Sequence, residues 1–255
     1  MWNVSMRTIT GAYHERNKML CQDQVFCKKG VNGQSVVLAD GTGDSDANTF
    51  CVREVADFTS DALLEFAESG FDGPIGKEDV IQRLMEGIVR IISKYMESCQ
   101  LPADAFASTL MGIAIDHRRG NYLLIHLGDG IILGRSGQQS CVLSYPVNGN
   151  ADQTFLTISE NLFLHMKVRQ GRLEKLDRLV LCSDGVYNRP LGRTFTDQTI
   201  WRLLDGEEEF RAKEDDQSYI EMRRSGYGNF CRHSRRENKG DAEDTEEDRG
   251  RGTDT

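Results

Sequence analysis

Three times in this chain an apolar run ends in a small or polar residue and then Asp-Gly. The stretches are Leu38-Ala39-Asp40-Gly41, Leu127-Gly128-Asp129-Gly130 and Cys182-Ser183-Asp184-Gly185. A strand end fixes the direction of its side chain, and glycine lets backbone or ligand approach closely. Several such ends in one sheet system can aim carboxylates at a common point. Carboxylates gathered in this way repel one another unless cations sit among them. Hard divalent ions are the natural guests, because they prefer oxygen ligands and keep several waters. Each site also has a plain structural reading. Asp-Gly between strands is a strong hairpin signal, which suits Asp129 and Asp184. Asp40 could instead cap a following helix. Two further acidic sites flank strand-like runs, Asp23 and the pair Asp215-Asp216; the pair could equally be exposed loop carboxylates.

The elements around these sites predict an α+β domain. Residues 5–12, 24–29 and 34–39 read as strands. A helical stripe then runs through Val52, Val55, Ala56, Leu63 and Phe66, with Gly70 as its stop. A second helix spans about 78–98, where Ile81, Leu84, Ile88, Ile91, Ile92 and Tyr95 recur at three and four residues. Beyond Pro102 the texture returns to strands, at 106–116, 121–127, 131–135, 139–145, 152–157, 162–168, 178–182 and 218–222. A short helix with Thr196 as N-cap carries Ile200, Leu203 and Leu204. Two consecutive helices between blocks of antiparallel-looking strands fit layered packing.

Residues 226–255 differ in kind. From 233 onward no aliphatic or aromatic side chain larger than alanine occurs, so burial cannot offset the cost of ordering. The expected organisation is a folded domain over 1–225 and a charged, disordered tail over 226–255. A solvated appendage without function is the plainer reading of that tail.

The formal net charge of -9 argues against nucleic-acid and membrane-surface roles, since both partners are polyanions. Seven cysteines at wide spacings, without C-x-x-C, read as free thiols in a reducing cytoplasm. Met1 to Gly11 lacks the continuous apolar core of a secretory signal, and no run is apolar enough to span a bilayer.

The ordered motifs resemble those of the metal-dependent, type 2C protein serine/threonine phosphatases, particularly bacterial members. The likeness spans roughly residues 8–222. It is carried by Gly11-Ala12-Tyr13-His14 with Cys21-Gln22-Asp23, by Asp40-Gly41-Thr42-Gly43, by Phe106 to Leu110, by Gly128-Asp129-Gly130, by Ser183-Asp184-Gly185 and by Asp215-Asp216-Gln217-Ser218.

The resemblance implies a four-layer αββα sandwich of mostly antiparallel sheets with helices outside. It implies two Mn²⁺ or Mg²⁺ ions per site, with room for a third, activating a water that attacks phosphoserine or phosphothreonine. By position, Asp40 would bridge both ions and the Gly41 carbonyl would hold the first. Asp184 and Asp215 would hold the second, Asp129 the third together with Asp184, and Asp23 would sit in the layer behind them. Asp40 and Asp184 would be the catalytic carboxylates. His14 and Arg16 lie where the family binds substrate phosphate, although a lone histidine is more often a hydrogen-bonded structural residue. Some family members carry a histidine after the central Asp-Gly; here it is Thr42. Asp44-Ser45-Asp46 replaces the usual Gly-rich continuation. The segment 136–170 is the place for a substrate-binding flap. The implied partners are a phosphorylated protein and a cognate Ser/Thr kinase, in the cytoplasm, with neither nucleic acid nor membrane. The alternative is a catalytically silent, phosphatase-like binding module.

Overall fold

Period-two alternation divides the apolar side chains of a strand between two faces, and the computed structural model shows where each face goes. The structure describes residues 1–43, 45–71, 73–147, 154–187, 197–206 and 213–225. Its elements run β1 (Trp2–Ile9), α1 (Ala12–Asn17), β2 (Asp23–Lys29), β3 (Gly33–Asp40), α2 (Asp46–Ser69), α3 (Lys77–Cys99), β4 (Leu110–Asp116) and β5 (Asn121–Leu127). They continue β6 (Ile131–Ser136), β7 (Gln139–Ser144), α4 (Leu162–His165), β8 (Lys167–Arg172), β9 (Arg178–Cys182), α5 (Asp184–Tyr187), α6 (Asp197–Leu204) and β10 (Gln217–Arg224).

Two antiparallel five-stranded sheets result. One has the order β1-β10-β9-β6-β7, the other β2-β3-β4-β5-β8. Three apolar layers follow from the alternation. Val36 and Leu38 of β3 meet Leu179 and Leu181 of β9 and Ile220 and Met222 of β10 between the sheets. Val37 and Ala39, one residue out of phase, pack instead beneath α2 and α3 against Val52, Val55, Leu63 and Leu84. On the far side, Ile131, Leu133, Val180 and Cys182 carry Val186, Ile200 and Trp201 of α5 and α6. Helices therefore cover both outer faces, and the expected αββα sandwich is the observed one. Ser45 caps α2 at its N-terminus, accepting from the Asn48 backbone N–H, and Gly70 ends it at φ +80°.

Several expectations differ in detail. The first strand ends at Ile9, and residues 12–17 form α1, a helix too short to show an apolar period. Strand β4 begins at Leu110, because residues 103–106 turn as a 3-10 helix. Leu162–His165 is helical, and the strand there starts at Lys167. Residues 154–157 belong to no strand, and Thr196 lies outside the described residues, as do 152–153. Most consequentially, β5 and β6 do not pair: Gly128-Asp129-Gly130 carries the chain from one sheet to the other.

Candidate active site

Four strand ends and one crossover converge at a single end of the sandwich. Asp23 opens β2 and stands directly opposite Asp40, the last residue of β3. Asp129 lies in the crossover between the sheets. Asp184 follows β9, and Asp215 precedes β10, its neighbour in the other sheet. A cavity of about 440 Å³ opens between them, lined by His14, Gly41, Thr42, Asp40, Asp129, Asp184 and Asp215 among others. Asp23 lies beneath this cavity, wholly buried.

Hydrogen bonds from hydroxyls and backbone hold Asp40, Asp129 and Asp23 in place. The Asp40 N–H donates to Thr109 Oγ1 at 3.0 Å, and the Thr109 N–H returns a bond to the Asp40 carbonyl at 2.8 Å. Thr154, from the expected flap segment, donates to Asp129 Oδ2 at 2.8 Å, and the Tyr187 hydroxyl donates to the Asp129 carbonyl. Ser183 Oγ donates to Asp23 Oδ2 at 3.0 Å and accepts from the Ser218 N–H at 3.0 Å. Lys213 donates to the carbonyls of Gly185 and Val186, at 2.6 and 2.7 Å, tying the loop before β10 to α5. Any side chain at Gly185 would collide with the Asp216 carbonyl, so this close approach demands glycine.

Electrostatics reflect the crowding. Burial, and then repulsion from Asp23, Asp184, Asp215 and Asp129, raises Asp40 well above the ordinary carboxylate range. Burial, with Asp129 and Asp215, pushes Asp184 up to about 6. Burial, with Asp216 and Asp215, pushes Asp23 to about 7 despite the hydroxyls of Ser218 and Ser183. Asp215 is raised by burial, against the pull of the Asp216 N–H that bonds its Oδ1 at 2.9 Å. Asp216 behaves oppositely. Burial works against its charge, but the Gly11 N–H, the His14 ring and the Gln22 N–H outweigh it, and its pKa is lowered.

The donor set fits hard divalent cations. It is oxygen throughout, and among the described residues no Lys or Arg lines the cavity to compensate its charges. Asp23 Oδ1 is buried with no hydrogen-bond partner, the mark of an acceptor that awaits a proton or an ordered donor. Among the described residues no three His, Cys, Asp or Glu side chains are already closed around one point, so the carboxylates would have to draw together to share an ion.

Of the two candidate phosphate contacts, His14 lines the cavity and Arg16 does not. Arg16 sits exposed on the rim, paired with Glu214. Asp44 lies outside the described residues, while Ser45 serves as a helix cap. The anchoring roles of Thr109, Thr154 and Lys213 are not visible in sequence, because each acts through a contact 25 or more residues away.

Comparison with known proteins agrees with this geometry. The protein phosphatase 2C family model matches residues 10–216. No curated protein sequence matches the chain. Among solved structures, the S. agalactiae serine/threonine phosphatase is similar at 17% identity and TM-score 0.58, covering 88% of this chain and 99% of its own. RsbX, solved in complex with magnesium, is similar at 16% identity and TM-score 0.54, over 87% of this chain and 94% of its own. A C. elegans sex-determining protein reaches TM-score 0.63 at 13% identity, over 87% of this chain and 64% of its own. At such identities these structures speak for the fold alone. With the sandwich, the converging aspartates and a family match over most of its length, the chain belongs to the protein phosphatase 2C family.

Proposed function

We propose that this chain is a metal-dependent phosphoprotein phosphatase acting on phosphoserine and phosphothreonine. The observation that carries the reading is the cluster of mutually repelling aspartates, delivered to one cavity by both sheets. In this reading Asp40 and the Gly41 carbonyl would hold a first ion, Asp184 and Asp215 with Asp40 a second, and Asp129 with Asp184 a third. Mn²⁺ or Mg²⁺, if bound there, would supply a water of lowered pKa and offset charge on phosphoryl oxygens.

The chain's own residues supply position and proton handling. Asp23 keeps a buried acceptor, Oδ1, one layer behind Asp40, where it can orient or take a proton. His14 presents an imidazole to the phosphate. Arg16 can contribute only by leaving Glu214, so it acts at the rim. Thr42 stands where some relatives carry histidine, and its hydroxyl, about as weak an acid as the leaving alcohol, offers no group that titrates near neutral pH. Protonation of the leaving oxygen then falls to water or to another residue.

The domain boundary falls near residue 225 in this reading, where the Ser225 N–H bonds the Met1 carbonyl and closes the sheet; the expected tail lies outside the described residues. A phosphoserine substrate implies a kinase that writes the mark. We place both in the cytoplasm, a reading supported by six described cysteines that are all free thiols. No described helix is long and apolar enough to cross a membrane.

The test is hydrolysis of a chromogenic phosphate ester and a phosphothreonine peptide, with Mn²⁺, with Mg²⁺ and with chelator, beside Asp184→Asn. Turnover that needs metal and disappears in the variant supports the reading. Absence of turnover by folded protein with either ion sinks it and favours a silent binding module.

A further inference from the structure

The two ends of the sandwich differ in charge. Carboxylates gather at the cavity. Strand β3 leads away from it, and its first residue, Gly33, lies about 23 Å from Asp40 at the usual rise per residue. At that far end the β2–β3, β4–β5 and β8–β9 loops meet the outer ends of β1 and β10. They are bonded into one surface. The His117 N–H donates to the Asn32 carbonyl, Leu173 to Gly120, Arg224 to Asp177 and Ser225 to Met1, each at 2.8 Å.

This surface carries Lys29, Arg118, Arg119, Arg172, Lys175 and Arg224, the first five of them exposed. The acids of the same end are largely engaged elsewhere. Asp116 is wholly buried and accepts from the N–H groups of Phe71, Arg118 and Arg119 at 3.3, 2.9 and 3.2 Å. Glu68 accepts from the Asn32 and Gly33 N–H groups at 2.9 and 2.7 Å, and Asp177 from the Gly137 N–H at 2.6 Å. Arg119 pairs with Asp116 and Arg172 with Glu174, both at 3.2 Å. Lys29 and Lys175 have no ion-pair partner among the described residues. In a chain of net charge -9, a surface richer in cations than in available acids stands out.

The described chain leaves this same surface at Ser225. Sixteen positions further on, residues 241–248 hold six acids in eight residues and no cation. A linker of that length spans about 50 Å at most, so either end of the sandwich is within reach. Charge decides between them: the cavity end repels the stretch and the far end attracts it. We infer that residues 241–248 lie across the basic end of their own domain, held there by Lys29, Arg118, Arg172 and Lys175. The tether keeps the stretch at an effective concentration on the order of millimolar, which makes individually weak contacts sufficient. The contact closes the basic surface to other polyanions and yields to salt, since charges on an exposed surface are screened beyond about 10 Å at 0.1 M. Exposed ion pairs add little to stability, so position and not Tm is the readout. The inference does not depend on the phosphatase reading, because no cavity residue takes part.

The experiment compares the full chain with a full-length variant whose stretch is neutralised by Asp241→Asn, Glu243→Gln, Asp244→Asn, Glu246→Gln, Glu247→Gln and Asp248→Asn. In ¹H–¹⁵N spectra at about 20 mM salt, backbone amides of residues 29–32, 117–120 and 172–175 should differ between the two, and the difference should vanish at about 0.5 M. Carbodiimide coupling, which joins lysine to carboxylate without a spacer, should link Lys29 or Lys175 to residues 241–248. A mixture of ¹⁵N-labelled and unlabelled chains tells links within one chain from links between two. Arg118→Glu together with Arg172→Glu leaves both lysines in place and should abolish the links. Identical spectra of the two forms overturn the inference. Differences confined to residues 232–239 also overturn it, since the acidic stretch would then pair with the arginines that precede it. Links found only between chains overturn it in favour of a second copy as the occupant.

Discussion

Ser183 serves two partners with one hydroxyl, donating to Asp23 and accepting from Ser218. Ser183→Ala removes a donor from a buried carboxylate, which costs about 1–3 kcal/mol when the acid is charged. Asp23 holds its proton up to about pH 7, so the cost should be small at pH 5 and near its full size at pH 8. Urea melts in chelator at the two values check this; equal losses would mean that the hydroxyl supports the turn rather than the acid. Gly185→Ala tests a different force. Its methyl would meet the Asp216 carbonyl, and only a backbone shift could relieve the overlap, at about 1–3 kcal/mol or more. That shift would move Asp184, so metal-dependent thermal stabilisation should shrink together with stability.

At the level of elements, α6 packs on its sheet through Ile200 and Trp201, with the indole the larger of the two. Trp201 is 5% exposed, packs among Val180, Leu133 and Cys182, and lies between the guanidinium groups of Arg135 and Arg178 at 5.3 and 5.0 Å. Trp201→Ala should cost about 3–5 kcal/mol. Hydrogen exchange should show α6 opening first, while β3 and β4 stay protected. The same scale explains what could be read from the sequence. The long helices were legible because their apolar period is strong, and Gly70 marks the end of the first. The acidic strand ends were legible because each sits at a fixed offset from an apolar run. Asp129 was readable as a site but not as a link. Gly128-Asp129-Gly130 has the signature of a tight hairpin, and only the partners of β5 and β6, set by distant strands, reveal a crossover. Likewise α1 is too short to show a period, and the anchoring bonds of Asp216 span about 200 residues.

For the molecule as a whole, the acid cluster makes stability depend on pH and metal in opposite senses. Asp23, at about 7, and Asp184, at about 6, bind protons more tightly folded than unfolded, and so do Asp40 and Asp215. Their protonated forms favour folding, so metal-free protein should lose stability as pH rises from the ordinary carboxylate value near 4 to about 7. Asp216 acts the other way: its contribution is present above its unfolded value and is lost as pH falls through its lowered folded one. Divalent ions need the charged carboxylates, so the rise in Tm on adding Mn²⁺ should grow between pH 5 and pH 8. A calorimetric series with and without chelator measures both trends, and a flat metal-free profile would contradict the crowding. Ending the chain after Ser225 should leave Tm and metal response unchanged if the domain closes where β10 meets β1; a fall of several degrees would place the boundary later. That pairing has a temporal side. Strand β1 is made before every other described strand, and β10, its immediate neighbour in the sheet, after all of them. Until β10 emerges, Asp215 and Asp216 are missing and α1 has nothing to fasten it. A nascent chain can therefore pack its other sheet and both long helices during synthesis without forming a working cavity. The cavity is complete only once β10 has joined β1, a late step because it pairs the described strands farthest apart in the sequence.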